Sequence, residues 1–223
     1  MKKLTHFISH LLKKPEGKLL AIVVLVVIVS FVYYFYAVNT GKVGKVEDIT
    51  ISDTDHVRGA QSGTVTLVEF GDFQCPACGA YEPLVRKVMA DNPTTLKVVF
   101  RHFPLTQLHQ NALLAAKASE SAGLQGKFWE MHDILYDNQK EWSGSLNAKD
   151  FFIGYAKVLK LDTKKFETDL SNSSIEEKIM AEYKEGNRLG VQGTPTFFVN
   201  GKMISNPQSQ EEFDKIIKSA AKN

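Results

Sequence analysis

Val65-Thr66-Leu67-Val68-Glu69-Phe70-Gly71-Asp72-Phe73-Gln74-Cys75-Pro76-Ala77-Cys78-Gly79 joins two different patterns. The apolar run Val65 to Phe70 reads as a strand, and from Tyr81 to Ala90 the apolar spacing turns helical. Both cysteines of the chain, Cys75 and Cys78, sit at the joint. A helix N-terminus presents unpaired N–H groups and a partial positive charge, and both favour a thiolate over a thiol. Pro76 suits the first helical turn, where its missing N–H would have had no partner. An ordinary thiol of pKa about 8.5 is only about three per cent ionised at pH 7, whereas a downward shift of three units, about 4 kcal/mol, makes it almost wholly thiolate.

Three other uses of two cysteines compete with a redox one. A structural staple gains little here, because the chain-entropy model gives roughly 2 kcal/mol for a four-residue loop against about 3 for fifteen. Structural zinc takes four ligands. There is no second cysteine pair, and His56, His102, His109 and His132 form no close ligand pair. Two inert thiols are the third alternative, and a redox dithiol leads the four.

The chain has 223 residues, 43% of them hydrophobic, enough for one well-buried domain plus an appendage. A formal charge of +2, with no basic patch interleaved with aromatics, gives no reason to expect a nucleic-acid partner. The positive charge is local: Lys2, Lys3, Lys13, Lys14 and Lys18 stand against the single acid Glu16 in residues 1–18. Residues 19–38 follow without a charge, and Ser30 is their one clearly polar residue. As a helix that stretch would run about 30 Å, enough to cross a bilayer. Tyr33, Tyr34, Phe35 and Tyr36 crowd one end, as aromatics do at a membrane interface.

A cleaved signal peptide has a shorter apolar region and a small-residue site that Ala37-Val38-Asn39 fits poorly, so the expectation is an uncleaved anchor. The positive-inside rule keeps residues 1–18 cytoplasmic and places the rest outside, in an oxidising compartment. The polar, glycine-punctuated residues 39–62 read as a tether that adds an edge strand at Asp48 to Ser52. Residues 63–223 read as the folded domain.

Within that domain, Leu96 to Phe103 reads as a second buried strand after the helix from Pro76 to Ala90, so strand, helix and strand form a right-handed parallel unit. From about 108 to 189 the periodicity is helical almost throughout, an insertion whose apolar stripes are core. Thr196 to Val199 is a strand again, Asn200-Gly201 is the strongest short hairpin signal, and Lys202 to Ser205 returns antiparallel. A last helix runs from about Ser209 to Ala221. The fold class is α/β: a small mixed sheet carrying helices, interrupted by a helical insertion and preceded by one transmembrane helix.

Phe73-Gln74-Cys75-Pro76-Ala77-Cys78, Thr194-Pro195 and the hairpin Phe198-Val199-Asn200-Gly201 together resemble the DsbA-like thiol-disulfide oxidoreductases of the thioredoxin fold, over about Gly63 to Ala221. The resemblance implies roles. Cys75 would be the exposed nucleophile and Cys78 the shielded partner that resolves or re-forms the bond. Pro195, in a cis peptide, would press its backbone on the disulfide and pair with an extended substrate segment, with Thr194, Pro76 and Ala77 contacting substrate; the alternative for Pro195 is an ordinary turn before the strand, since few X–Pro bonds are cis. Glu69 would be a buried acid exchanging a proton with Cys78; its alternative is a solvent-facing strand residue.

No cofactor beyond the redox-active disulfide is implied. The implied partners are cysteine-containing exported proteins and a quinone-linked membrane thiol oxidase. Ala77 stands where strong oxidases of that family carry histidine. Thr194 occurs before the cis-proline of isomerase and reductase relatives, so the direction of transfer stays open. A membrane-anchored peptide-binding or chaperone-like module is the reading from another class. His102 and His109 read as structural, and Trp129 and Trp142 as packing residues.

Overall fold

The computed structural model describes residues 23–32 and 49–222. The chain divides into two units, Met1–Lys45 and Val46–Asn223. In the first, residues 23–32 are helical and their apolar side chains are exposed. The remainder of the expected span 19–38 lies outside the described residues, and among the described residues no helix is long and apolar enough to cross a membrane.

The second unit is built on a five-stranded mixed sheet of order β1-β3-β2-β4-β5: β1 His56–Gly59, β2 Val65–Gly71, β3 Leu96–His102, β4 Thr196–Val199 and β5 Lys202–Met203. β2 and β3 run parallel, Leu67 beside Val98, and helix α1 (Pro76–Asp91) connects them. β4 lies antiparallel on the other side of β2, with Phe198 opposite Val68. The alternation along β2 sends residues to two apolar layers. Val65 and Leu67 meet Val85 and Val88 of α1 and Phe213 and Ile217 of the last helix; Val68 and Phe70 meet Phe103, Val191 and Phe198 on the opposite face.

Between β3 and β4 the insertion supplies α2 Ala112–Gly123, α3 Phe128–Asp137, α4 Gln139–Trp142, α5 Ala148–Val158, α6 Thr163–Asp169 and α7 Ser173–Arg188. These helices close their own core around Trp142, Phe152 and Phe166, and Phe73, Cys75, Cys78 and Phe100 belong to the same cluster. The redox turn is thus packed against the insertion. α8 (Gln210–Ala220) ends the chain, its N-cap Ser209 accepting from the Glu212 N–H.

The expected edge strand at Asp48 to Ser52 is not one. Asp48 lies outside the described residues, and 49–52 runs into a turn in which the Ser52 N–H donates to Asp55 Oδ2 at 2.7 Å. The Thr50 carbonyl accepts instead from the Arg101 guanidinium, 2.8 Å away. The edge strand is His56–Gly59, antiparallel to β3, with Val57 opposite Val99. The sheet therefore starts inside 39–62, the stretch expected to be a tether.

Gly186, in the last turn of α7, tests how tightly the insertion seats on the sheet. A Cβ there would come within 2.7 Å of the Phe103 ring and 3.0 Å of Phe70. Gly→Ala in a helix ordinarily stabilises by about 1 kcal/mol. Here overpacking outweighs propensity, and Gly186→Ala is expected to lower the urea-unfolding free energy by about 1–3 kcal/mol. A stabilised variant would contradict that packing.

Candidate active site

The turn that carries the cysteines is set by a buried acid. Asp72, 2% exposed, follows β2 directly. Its Oδ1 accepts from the Gln74 N–H at 2.8 Å, while its Oδ2 accepts from the Leu105 N–H at 3.0 Å and pairs with His109 Nδ1 at 2.7 Å. Its carbonyl accepts from the Cys75 N–H at 3.0 Å. Gly71 lets β2 pass under Phe100, whose ring a Cβ there would strike. Cys75 is then the N-cap of α1, in extended backbone, with Pro76 as the first helical residue.

The two sulfurs stand in different surroundings. Cys75 keeps 7% of its surface and Cys78 none. Cys75, expected to be an exposed nucleophile, is therefore buried, with the loop before β4 against it. Cys75 Sγ lies 3.3 Å from the carbonyl oxygen of Thr194, whose peptide bond to Pro195 is cis. The Cys75 thiol is drawn down to about 5, first by a hydrogen bond from the Cys78 thiol, then, against the cost of burial, by the Thr194 side chain and the N–H groups of Cys78 and Ala77. The Cys78 thiol moves the other way: burial raises it, its bond to Cys75 adds to that, and so does the nearby Glu69 charge.

Glu69 is 2% exposed, so the solvent-facing alternative does not hold. Burial raises its carboxyl well above the usual range, the Glu82 charge adds to that, and Arg58 opposes it. Pro76 and Ala77 are exposed beside the pair, and Pro195 is buried. Two grooves flank Cys75. One, of about 580 Å³, is lined by Gly193, Thr194, Pro195, Met203 and Asn206. The other, of about 600 Å³, runs past Gln74, Pro76, Gly79, Tyr136 and Gln139.

Several contributors carried no signal in the sequence. Arg58 of β1 joins Glu82 of α1 (2.9 Å) to Asp133 of α3 (2.8 Å) and lies 4.3 Å over the Trp129 ring, so Trp129 does more than pack. Glu82, His132 and Asp133 have metal-ligand spacing, but Arg58 and Arg86 already supply positive charge to the two carboxylates. Gln139 of α4 donates to the Phe73 and Cys75 carbonyls. His109 is structural in a specific way, holding Asp72. His102 is 1% exposed and bonds Glu120 at 3.0 Å, away from the sulfurs' hydrogen bonds, and Trp142 donates its indole N–H to the Leu135 carbonyl. Asp72 and Gln74 lay inside the motif without an assigned role.

A family profile described as "Thioredoxin" matches residues 51–219. Among solved structures, oxidised BdbD from Bacillus subtilis superposes with a TM-score of 0.67 at 25% identity, over 76% of this chain and 94% of that one. A thioredoxin-like oxidoreductase from Silicibacter pomeroyi gives a TM-score of 0.66, also at 25% identity, over 77% and 95%. A relative described as Na(+)/H(+) antiporter NhaA 1 from Salinispora arenicola is 43% identical over 168 residues, 75% of this chain but 25% of that protein. The chain spans about a quarter of the length of the curated relatives it matches.

The asymmetry of the sulfurs predicts a pH profile. In the reduced protein, Cys75 alkylation by iodoacetamide is expected to follow one ionisation with its midpoint near 5, while Cys78 stays unmodified. A midpoint near the ordinary value of about 8.5 would contradict the site. Linkage gives a second readout. A thiol lowered by folding stabilises the reduced protein above the unfolded thiol's pKa, and that gain is lost as pH falls through about 5. The urea midpoint of the reduced form is expected to fall relative to the disulfide form between about pH 8 and pH 5.

Proposed function

The chain belongs to the thioredoxin family, and from that membership we propose that it is a thiol-disulfide oxidoreductase that works outside the cytoplasm and donates a Cys75–Cys78 disulfide to cysteines of exported proteins. The observation that carries the direction is the Cys75 sulfur, buried at the start of α1 against the Thr194 carbonyl, with its thiol drawn down to about 5. A stabilised thiolate favours the dithiol over the disulfide, and that makes the disulfide an oxidant.

The exchange runs in two displacements. A substrate thiolate attacks Cys75 Sγ, forming a mixed disulfide, and the electron pair of the Cys75–Cys78 bond leaves on Cys78 Sγ. Glu69, whose carboxyl burial raises, is the neighbouring acid that supplies a proton to Cys78, whose own thiol is raised. The second substrate thiolate then attacks the substrate sulfur of the mixed disulfide, and the pair leaves on Cys75. Its low pKa makes Cys75 a good leaving group. Two electrons have passed from the substrate dithiol to the pair, and the substrate holds a disulfide. The groove beside Thr194 and Pro195 is where an extended substrate segment lies.

The apolar residues 19–38 and the lysines before them support an anchor that keeps this domain at the outer face of the membrane. Re-oxidation of the pair is assigned to a quinone-linked membrane thiol oxidase.

Ala77 and Thr194 favour the rival direction, a reductase or isomerase. Equilibration with glutathione separates the two: the oxidase reading expects a potential well above the roughly −270 mV of thioredoxin, and a value at or below it would reverse the direction. Cys75→Ala is expected to abolish disulfide transfer to a reduced model substrate. A variant that kept full biological activity would make the protein a peptide-binding module instead.

A further inference from the structure

Two glutamines cross between the redox turn and the helical insertion, and the exchange steps use neither. Gln74 reaches outward, donating from Nε2 to the Ser143 carbonyl at 2.7 Å and accepting at Oε1 from the Asn111 N–H at 2.6 Å. Gln139, the first residue of α4, reaches inward. Its Nε2 donates to two carbonyls of the turn, that of Phe73 at 2.7 Å and that of Cys75 at 2.8 Å. The same side chain lies flat on the first turn of α1, because a Cβ on Gly79 would come within 2.6 Å of its Oε1. Gly79 sits in ordinary helical backbone, so the close approach of Gln139 is what its bare Cα accommodates.

The Cys75 carbonyl is the first acceptor of α1, taking the Gly79 N–H at 3.2 Å. The peptide plane it belongs to has no N–H of its own to anchor it, since the next residue is Pro76. A second donor on that oxygen, shared with the carbonyl two residues earlier, fixes the plane on both sides of Gln74. We propose that Gln139 is a positioning residue for the redox pair: by clamping the Phe73 and Cys75 carbonyls it keeps the N–H groups of Ala77 and Cys78 aimed at the Cys75 sulfur. The insertion thereby takes part in setting the acidity of a sulfur it does not touch through Gln139. The proposal rests on the thiol-exchange reading of Cys75, but not on the direction of transfer.

Without the clamp the first turn loosens, the thiolate loses part of its stabilisation, and the dithiol becomes less favoured against the disulfide. The test compares the full chain with Gln139→Ala, Gln139→Glu, Gly79→Ala and the double variant Gly79→Ala/Gln139→Ala. The measurements are the pH profile of Cys75 alkylation and the equilibrium with oxidised and reduced glutathione. Gln139→Ala is expected to raise the alkylation midpoint by about one unit and move the equilibrium about tenfold toward the protein disulfide, about 30 mV. Gln139→Glu, which turns a carboxylate toward two carbonyls, shifts both further.

Gly79→Ala leaves the glutamine in the chain and displaces its amide, so it reproduces the Gln139→Ala shift alone and adds nothing in the double variant. A purely structural glutamine would change the unfolding midpoint and leave both redox readouts in place. A low parental midpoint that Gln139→Ala leaves unmoved, or a Gly79→Ala shift undiminished in the Gln139→Ala background, overturns the clamp alone. A parent with an ordinary thiol midpoint overturns the exchange reading and the clamp with it.

Discussion

The Cys75 sulfur is stabilised as a thiolate by donors that converge on it, the Cys78 thiol first and the N–H groups of the first helical turn after it, and such bonds weaken steeply as their angle closes. Much of the second unit serves that condition. Asp72 closes the turn from below with three acceptor contacts and a carbonyl, β2 delivers it from the middle of the sheet, and the Thr194-Pro195 loop covers the sulfur from above. The two sulfurs, three residues apart, end up with opposite tendencies because one faces donors and the other faces burial and a carboxylate. That difference is what the proposed exchange uses, with Cys75 as the attacking or leaving sulfur and Cys78 as the one that takes up a proton.

Buried ion pairs hold the sheet's surroundings together. Arg101, 2% exposed, binds Asp55, Glu185 and the Thr50 carbonyl, tying the segment before β1 to β3 and α7. Arg58 and Arg86 bind Glu82 and Asp133 between α1 and α3. Such pairs gain little net stability over apolar packing, but removing one partner leaves a buried charge uncompensated. Their effect here reaches the chemistry, since Glu82 and Arg58 act in opposite senses on Glu69, and Glu69 acts on Cys78.

The helical insertion is more than a lid. Phe73, Cys75 and Cys78 share its apolar core with Trp142 and Phe152, and it reaches the redox turn through the Asn111 N–H, which donates to Gln74, and through the Gln139 side chain. The thioredoxin-like sheet and the insertion meet at the two cysteines, so neither part alone defines the surroundings of the sulfurs.

Periodicity by itself determined the central strands, the helix after Cys75, the hairpin at Asn200-Gly201 and the helical character of 108–189, because alternation and helical spacing are local properties that burial imposes on contiguous residues. The Cys75 motif was legible for a similar reason, since its chemistry is carried by residue types close together in the chain, whereas Thr194-Pro195 reads as an ordinary turn without the resemblance to the DsbA-like family. Tertiary structure alone decided the rest. The edge strand moved from 48–52 to His56–Gly59, since Val57 is its one strongly apolar residue and its place is set by pairing with β3 and by Arg58 meeting Glu82. The burial of Glu69 was decided by the tertiary packing that also brings the charges of Glu82 and Arg58 near it. Gln139 stands 64 positions from Cys75, and an amide that bonds to two backbone carbonyls leaves no pattern in composition or spacing, because any exposed loop glutamine reads the same until the chain has folded around it.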